Sequence, residues 1–156
     1  MAAGNDPTVR LAREYDAPRD LVFEAWSKRE HLEKWFGPDG FTTHVTVDFR
    51  PGGAFVLRLV GMGFDNTTRG SYREIVRPER IVWDSRFEDV PELEVVTTVT
   101  FEARGPKKTA LTVTQEFAGW ETLAAPKLDT MRPRWAGAPI GWGQTLDHLG
   151  AYVASR

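Results

Sequence analysis

Three histidines, His31, His44 and His148, are the side chains of this 156-residue sequence best suited to ligate a metal or to exchange a proton near neutral pH. No two of them stand at i, i+4 or as His-X-His, the spacings that bring two imidazoles onto one ion. Cysteine is absent, which excludes thiolate nucleophiles, disulfides, Cys-ligated zinc and iron–sulfur chemistry. No metal site and no cofactor site is therefore readable. Asp147 and His148 are adjacent, but neighbours on a helix point about 100° apart and do not orient one another as a dyad. No Gly-X-Ser-X-Gly nucleophile turn occurs. Gly61-Met62-Gly63 lies between two strands, with no lysine and no helix N-terminus to receive a phosphate, and reads as a hairpin loop.

What remains are polar side chains on otherwise apolar strand faces. Tyr72 and Glu74 share a parity in GSYREIV, and Gln115 shares the parity of Leu111, Val113 and Phe117. Pointing inward, each would need a hydrogen-bond partner or a solvated ligand, because an unpaired buried amide or hydroxyl costs about 1–3 kcal/mol. A buried Glu74 would have a raised pKa and could act as an acid or base. The competing reading is a salt bridge from Glu74 to Arg73, Arg77 or Arg86 at the sheet rim.

The elements that would position these groups follow from periodicity. Val9 to Tyr15 alternates and predicts a strand. Asp16-Ala17-Pro18 then suits a helix start, with Leu21, Val22, Ala25 and Trp26 on one face. A second short helix over Arg29 to Phe36 stops at Gly37-Pro38-Asp39-Gly40. From Phe41 the period is two for most of the next 75 residues, with tight turns at Arg50–Gly53, Pro78-Glu79 and Arg104–Lys108. Such short connections favour antiparallel neighbours. Ile140, Trp142, Leu146, Leu149 and Val153 predict a closing helix over Pro139 to Ala154, about 24 Å long. One strand, two short helices, six strands and a long helix make an α+β chain. The first six or so residues read as a loose tail.

Composition narrows the partners. Twenty basic residues stand against 22 acidic ones, for a net charge of −2, and no basic face for nucleic acid is visible. The apolar stretch Ala54–Phe64 is interrupted by Arg58 and glycines, so no membrane insertion is expected. The N-terminus does not read as a signal peptide, and with the missing cysteines this suggests a cytoplasmic protein.

The stretches REYDAPRDLVFEAWSKREHLEKWFGPDGF, RPGG at 50–53, GSYREIVRPERIVW at 70–83, TTVTFEARG at 97–105 and GWGQTLDHLGAY resemble the START-like, or SRPBCC, superfamily. Within it the sequence is most similar to the branch named after the C-terminal domain of the heat-shock-protein ATPase activator. The resemblance spans Val9 to Val153. It implies one START-like domain over residues 1–156, with an ordered core from 9 to 153. It also implies a helix-grip fold, in which a curved antiparallel sheet of about seven strands wraps the C-terminal helix and leaves an apolar cavity between them. The chain departs from the family pattern between Gly119 and Gly141, where Pro126, Pro133 and Pro139 interrupt a stretch that is helical in relatives. Because proline costs about 3 kcal/mol inside a helix, a shortened helix preceded by a lid-like loop is expected.

On that fold, strand and helix parities nominate a ligand-binding lining: Phe41, Phe55, Leu57, Trp83, Val99, Phe101, Leu111 and Val113 from the sheet, then Trp142, Leu146 and Leu149 from the helix. Tyr72 and Gln115 are its polar members. Met62 and Phe64 join if the hairpin lies at the cavity mouth, as the resemblance implies, and Trp35 and Trp135 come from segments brought to the same region. Plain core packing is the alternative for each, since a filled core and a lined cavity share one pattern. The preferred function is non-covalent, cofactor-free and metal-free binding of a small hydrophobic or amphipathic ligand. Behind it stand a cyclase- or hydrolase-like enzyme using Glu74, Tyr72 or Gln115, and a chaperone-associated stress-response protein. A homodimer is left open.

Overall fold

The computed structural model describes residues 7–156; the tail expected over the first six residues lies outside the described residues. Strand β1 (Thr8–Tyr15) leads into two short helices, α1 (Arg19–Glu24) and α2 (Arg29–Trp35). A meander follows through β2 (Thr42–Val47), β3 (Ala54–Gly61), β4 (Phe64–Val76), β5 (Arg80–Phe87), β6 (Val90–Gly105) and β7 (Lys108–Ala118). The seven strands form one antiparallel sheet in the order β1-β7-β6-β5-β4-β3-β2. Helix α3 (Ala125–Ala154) closes the chain. This is the helix-grip α+β architecture.

Tight turns hold the meander in register. Met62 and Gly63 join β3 to β4 with φ of 54° and 77°, the positive pair that a two-residue hairpin matching strand twist requires. In β4, Gly70 pairs with Ser85. A Cβ built on Gly70 would lie 1.7 Å from the Asp84 carbonyl oxygen, so only glycine lets β5 approach β4 this closely.

The register corrects one expectation. It shifts between Tyr72 and Glu74, with Tyr72 opposite Trp83 and Glu74 opposite Val82. Arg73 is thus the extra residue of a β-bulge, which reverses the facing of everything beyond it. Tyr72 points into the core and Glu74 points to solvent. Equal parity in the sequence does not survive the bulge.

Helix α3 corrects a second. It runs 30 residues, from Ala125 rather than Pro139, and no lid-like loop precedes it. Pro126 sits in the first turn, where its missing N–H removes no helical bond. Pro133 and Pro139 lie inside and each deletes one rung, yet the helix continues because its first turns are anchored to the β5–β6 turn and the core. Met131 is fully buried, Lys127 reaches the Asp89 carbonyl, and Arg134 pairs with Asp89. Pro139 is on the exposed face, where the freed Trp135 carbonyl can be solvated.

The core fills the end of the grip formed by β1, β6, β7, α1 and α2. Phe23 meets Phe101 at 5.1 Å between centroids, and Trp26 meets Trp35 at 4.7 Å, both edge to face. The C-terminal half of α3 lies against β1: the Tyr15 hydroxyl donates to the Leu146 carbonyl at 2.8 Å. Gly150 lets the helix come that close, since a Cβ there would stand 3.2 Å from the Tyr15 ring.

Candidate functional site

Along Pro133–Thr145, between its anchored first turns and its C-terminal contact with β1, α3 stands off the inner face of the sheet, and the gap is a cavity of about 430 Å³. Strands β3, β4 and β5 supply Phe55, Leu57, Leu59, Phe64, Thr68, Trp83, Ser85 and Phe87. Strands β6 and β7 supply Val95, Gln115 and Phe117. Phe36, Pro38 and Phe41 come from the segment joining α2 to β2, and Met62 from the β3–β4 turn. The roof is one stripe of α3: Pro133, Arg134, Gly137, Ala138, Gly141, Trp142 and Thr145. Of these lining residues Met62, Pro133 and Gly137 are exposed, which places the mouth between the hairpin tip and the helix.

The wall is overwhelmingly apolar, with eight aromatic rings. Trp83 stacks on Phe55 at 4.9 Å between centroids, and Trp142 packs edge to face on Phe36 at 5.4 Å. Five polar side chains interrupt it. Gln115 Nε2 donates to Thr97 Oγ1 at 3.0 Å, Thr145 Oγ1 donates to the Gly141 carbonyl at 2.8 Å, and Thr68 and Ser85 add hydroxyls from neighbouring strands. Arg134 is the fifth and, among the described residues, the one charged group on the wall. Hydrogen bonds from its guanidinium hold the Asp89 carboxyl down at about 2, against the opposing effect of partial burial. The rim segment is pinned as well: Asp39 N–H donates to Gln144 Oε1 at 2.9 Å, and the His148 ring contacts the Gly37 carbonyl and Asp39 Oδ1 at 2.9 and 2.6 Å.

Of the residues nominated from the sequence, Phe41, Phe55, Leu57, Met62, Phe64, Trp83, Gln115 and Trp142 come together on this cavity. Nine others do not line it. Val99, Phe101, Leu111, Val113, Leu146 and Leu149 share the inward faces but sit further along them, where helix and sheet are in contact and the core is filled. Tyr72 is buried among Phe49, Phe55 and Trp83, and that burial raises its hydroxyl pKa. Trp35 is anchored in the core by its indole N–H, which donates to the Ala25 carbonyl at 3.0 Å. Trp135 is on the outer side of α3, edge to face with Trp120 at 6.0 Å. Glu74 is in solvent and pairs with Arg80 at 2.7 Å, rather than with Arg73, Arg77 or Arg86. Of the polar lining, Thr68, Ser85, Arg134 and Thr145 were missed. With Ala138, Gly141 and Trp142 the last two recur at i, i+4, i+7, i+8 and i+11, the stripe of a helix extended upstream through its prolines.

Among the described residues no group of three or more potential ligands could hold a metal ion, and no helix is long and apolar enough to cross a membrane. Sheet, gripped helix and intervening apolar cavity define a START-like protein. Residues 16–154 match the model of the family described as Activator of Hsp90 ATPase homolog 1-like protein, and the chain belongs to that family. No curated protein matches it. Among solved structures it is similar to protein CV1439 from Chromobacterium violaceum, with 29% identity over 94% of this chain and 96% of that one and a TM-score of 0.78. Protein NE0264 from Nitrosomonas europaea, at 24% identity, covers 96% and 95% with a TM-score of 0.75. A protein from Arthrobacter aurescens, at 20% identity, covers 96% and 87% with a TM-score of 0.78. The last two likenesses are of fold alone.

Proposed function

We propose that this protein binds a small hydrophobic or amphipathic molecule, without covalent chemistry, between the sheet and α3. The observation that carries the reading is the cavity itself. Its volume of about 430 Å³ falls within the roughly 300–1,000 Å³ typical of small-molecule sites. Its lining of aromatic rings and a few separated polar groups is the composition such sites use to gain affinity from burial and orientation from hydrogen bonds.

The cyclase- or hydrolase-like alternative needs at least two convergent acid, base or polarising groups. Of its three candidates Gln115 alone reaches the cavity, Glu74 is paired in solvent and Tyr72 is packed in the core. That reading is left without an acid or base. A chaperone-associated role rests on the family name.

Trp83 and Trp142 both line the cavity, so an occupant is expected to change intrinsic tryptophan fluorescence saturably, and Trp83→Phe or Trp142→Phe to reduce that response. Native mass spectrometry of protein taken from its own cells would identify what co-purifies. Saturable binding that leaves both indoles unaffected would place the ligand elsewhere and overturn the reading.

A further inference from the structure

Arg134 is a guanidinium set into an aromatic wall. It lies 4.9 Å from the centroid of Phe87 and 5.3 Å from that of Phe64, and its side chain is 18% exposed. Nη1 and Nη2 donate to Oδ1 and Oδ2 of Asp89 at 2.9 and 2.6 Å, and Nη1 also approaches Met131 Sδ at 3.9 Å. A guanidinium has five N–H groups in one plane. The Asp89 fork occupies the Nη1–Nη2 end, which leaves the Nε–Nη2 edge, two parallel donors on a group already held rigid by two rings and a carboxylate.

We propose that this remaining edge of Arg134 is the polar anchor of the cavity, and that the occupant is uncharged: a flat, mainly apolar molecule with one neutral oxygen acceptor, such as a ketone, ester or amide carbonyl. The inference rests on the cavity-binding reading above. Geometry supplies the donor pair, and charge selects its partner. Asp89 neutralises the guanidinium, and among the described residues no second cation lines the wall. A ligand carboxylate would be desolvated against a field that Asp89 largely cancels, and attraction would not repay its lost hydration. A pure hydrocarbon would cover two N–H donors and leave them unpaired. A carbonyl oxygen accepts from both donors of that edge at once, and the planar fork is pre-organised for it.

Three probes of nearly one shape separate these cases: 2-acetylnaphthalene, 2-isopropylnaphthalene and 2-naphthoate, titrated at pH 7 by calorimetry and tryptophan fluorescence. Arg134→Met, which keeps an unbranched apolar stem, is expected to weaken the ketone about tenfold and leave the hydrocarbon within about twofold, as for loss of a hydrogen bond to a charged donor. Arg134→Lys retains the charge facing Asp89 but not the two-donor edge, and should lose the ketone similarly. Asp89→Asn leaves Arg134 in place and removes the neutralising charge; 2-naphthoate should then tighten about tenfold or more while the ketone changes little. Equal losses for ketone and hydrocarbon in both Arg134 variants would overturn the anchor. Tightest wild-type binding by 2-naphthoate, or no gain for it in Asp89→Asn, would overturn the uncharged class. If no probe binds the wild type, the cavity-binding reading itself falls, and this inference with it.

Discussion

A guanidinium beside Phe64 and Phe87 must be neutralised and hydrogen-bonded to be tolerated there, and Asp89 does both for Arg134. The same contact gives the pair a defined pH range. Arg134 donates to both Asp89 oxygens, and Asn66 adds a hydrogen bond. The folded carboxyl titrates near 2 against an ordinary value of 3.8. A depressed acid stabilises the fold fully above its unfolded pKa and ceases to as pH falls through its folded one. The wild type should therefore exceed Asp89→Asn in denaturation midpoint from pH 7 down to about pH 4, and the two should converge as pH approaches about 2. A constant difference across that range would show that the asparagine acts through packing rather than through the lost charge.

At the scale of elements, α3 is a helix held against its own composition. Two interior prolines would end most helices of this length, yet both are spanned because the N-terminal half has something to dock on. Pro139 faces solvent and touches no part of the cavity. Pro139→Ala restores one backbone donor, and the intrinsic helix preference of about 3 kcal/mol is partly offset by about 1 kcal/mol of regained freedom in the unfolded chain. The expected result is stabilisation by about 1–2 kcal/mol in urea unfolding with ligand affinity unchanged. Destabilisation would mean that the proline fits a local bend the helix needs. Element boundaries were the least legible part of the sequence for this reason. Local propensity argued for a loop over 119–138, and tertiary docking of Met131, Lys127 and Arg134 overrode it.

For the whole molecule, a helix held near both ends and raised between them creates a space that costs packing energy while empty. Its aromatic lining lacks contact partners on one side, and filling a cavity recovers dispersion and burial together. An occupant should thus raise the stability of the entire fold rather than of one segment. At a free concentration 100 times its dissociation constant the gain is about 2.7 kcal/mol, visible as a cooperative rise of the thermal midpoint. A midpoint unmoved at saturation would mean that the molecule binds folded and unfolded chains alike.

Strand alternation in the sequence determined which side chains face inward, and Phe55, Leu57, Trp83, Val99, Phe101, Leu111, Val113 and Gln115 all do so. The order and spacing of its motifs also carried the helix-grip architecture and the family. Alternation specifies a face, however, not how far another element stands above it. Whether an inward residue is core or cavity wall depends on where α3 leaves the sheet, so Val99 and Phe101 are packed while Val95 and Phe117 line open space. Parity also holds only within an unbroken register: the bulge at Arg73 sends Tyr72 inward and Glu74 outward. The charged anchor was not visible either, because Arg134 acquires its place only when a helix crossing two prolines is clamped by Asp89 in the β5–β6 turn. Periodicity is a property of neighbours along the chain; depth, bulges and long-range ion pairs belong to contacts that only the folded molecule makes.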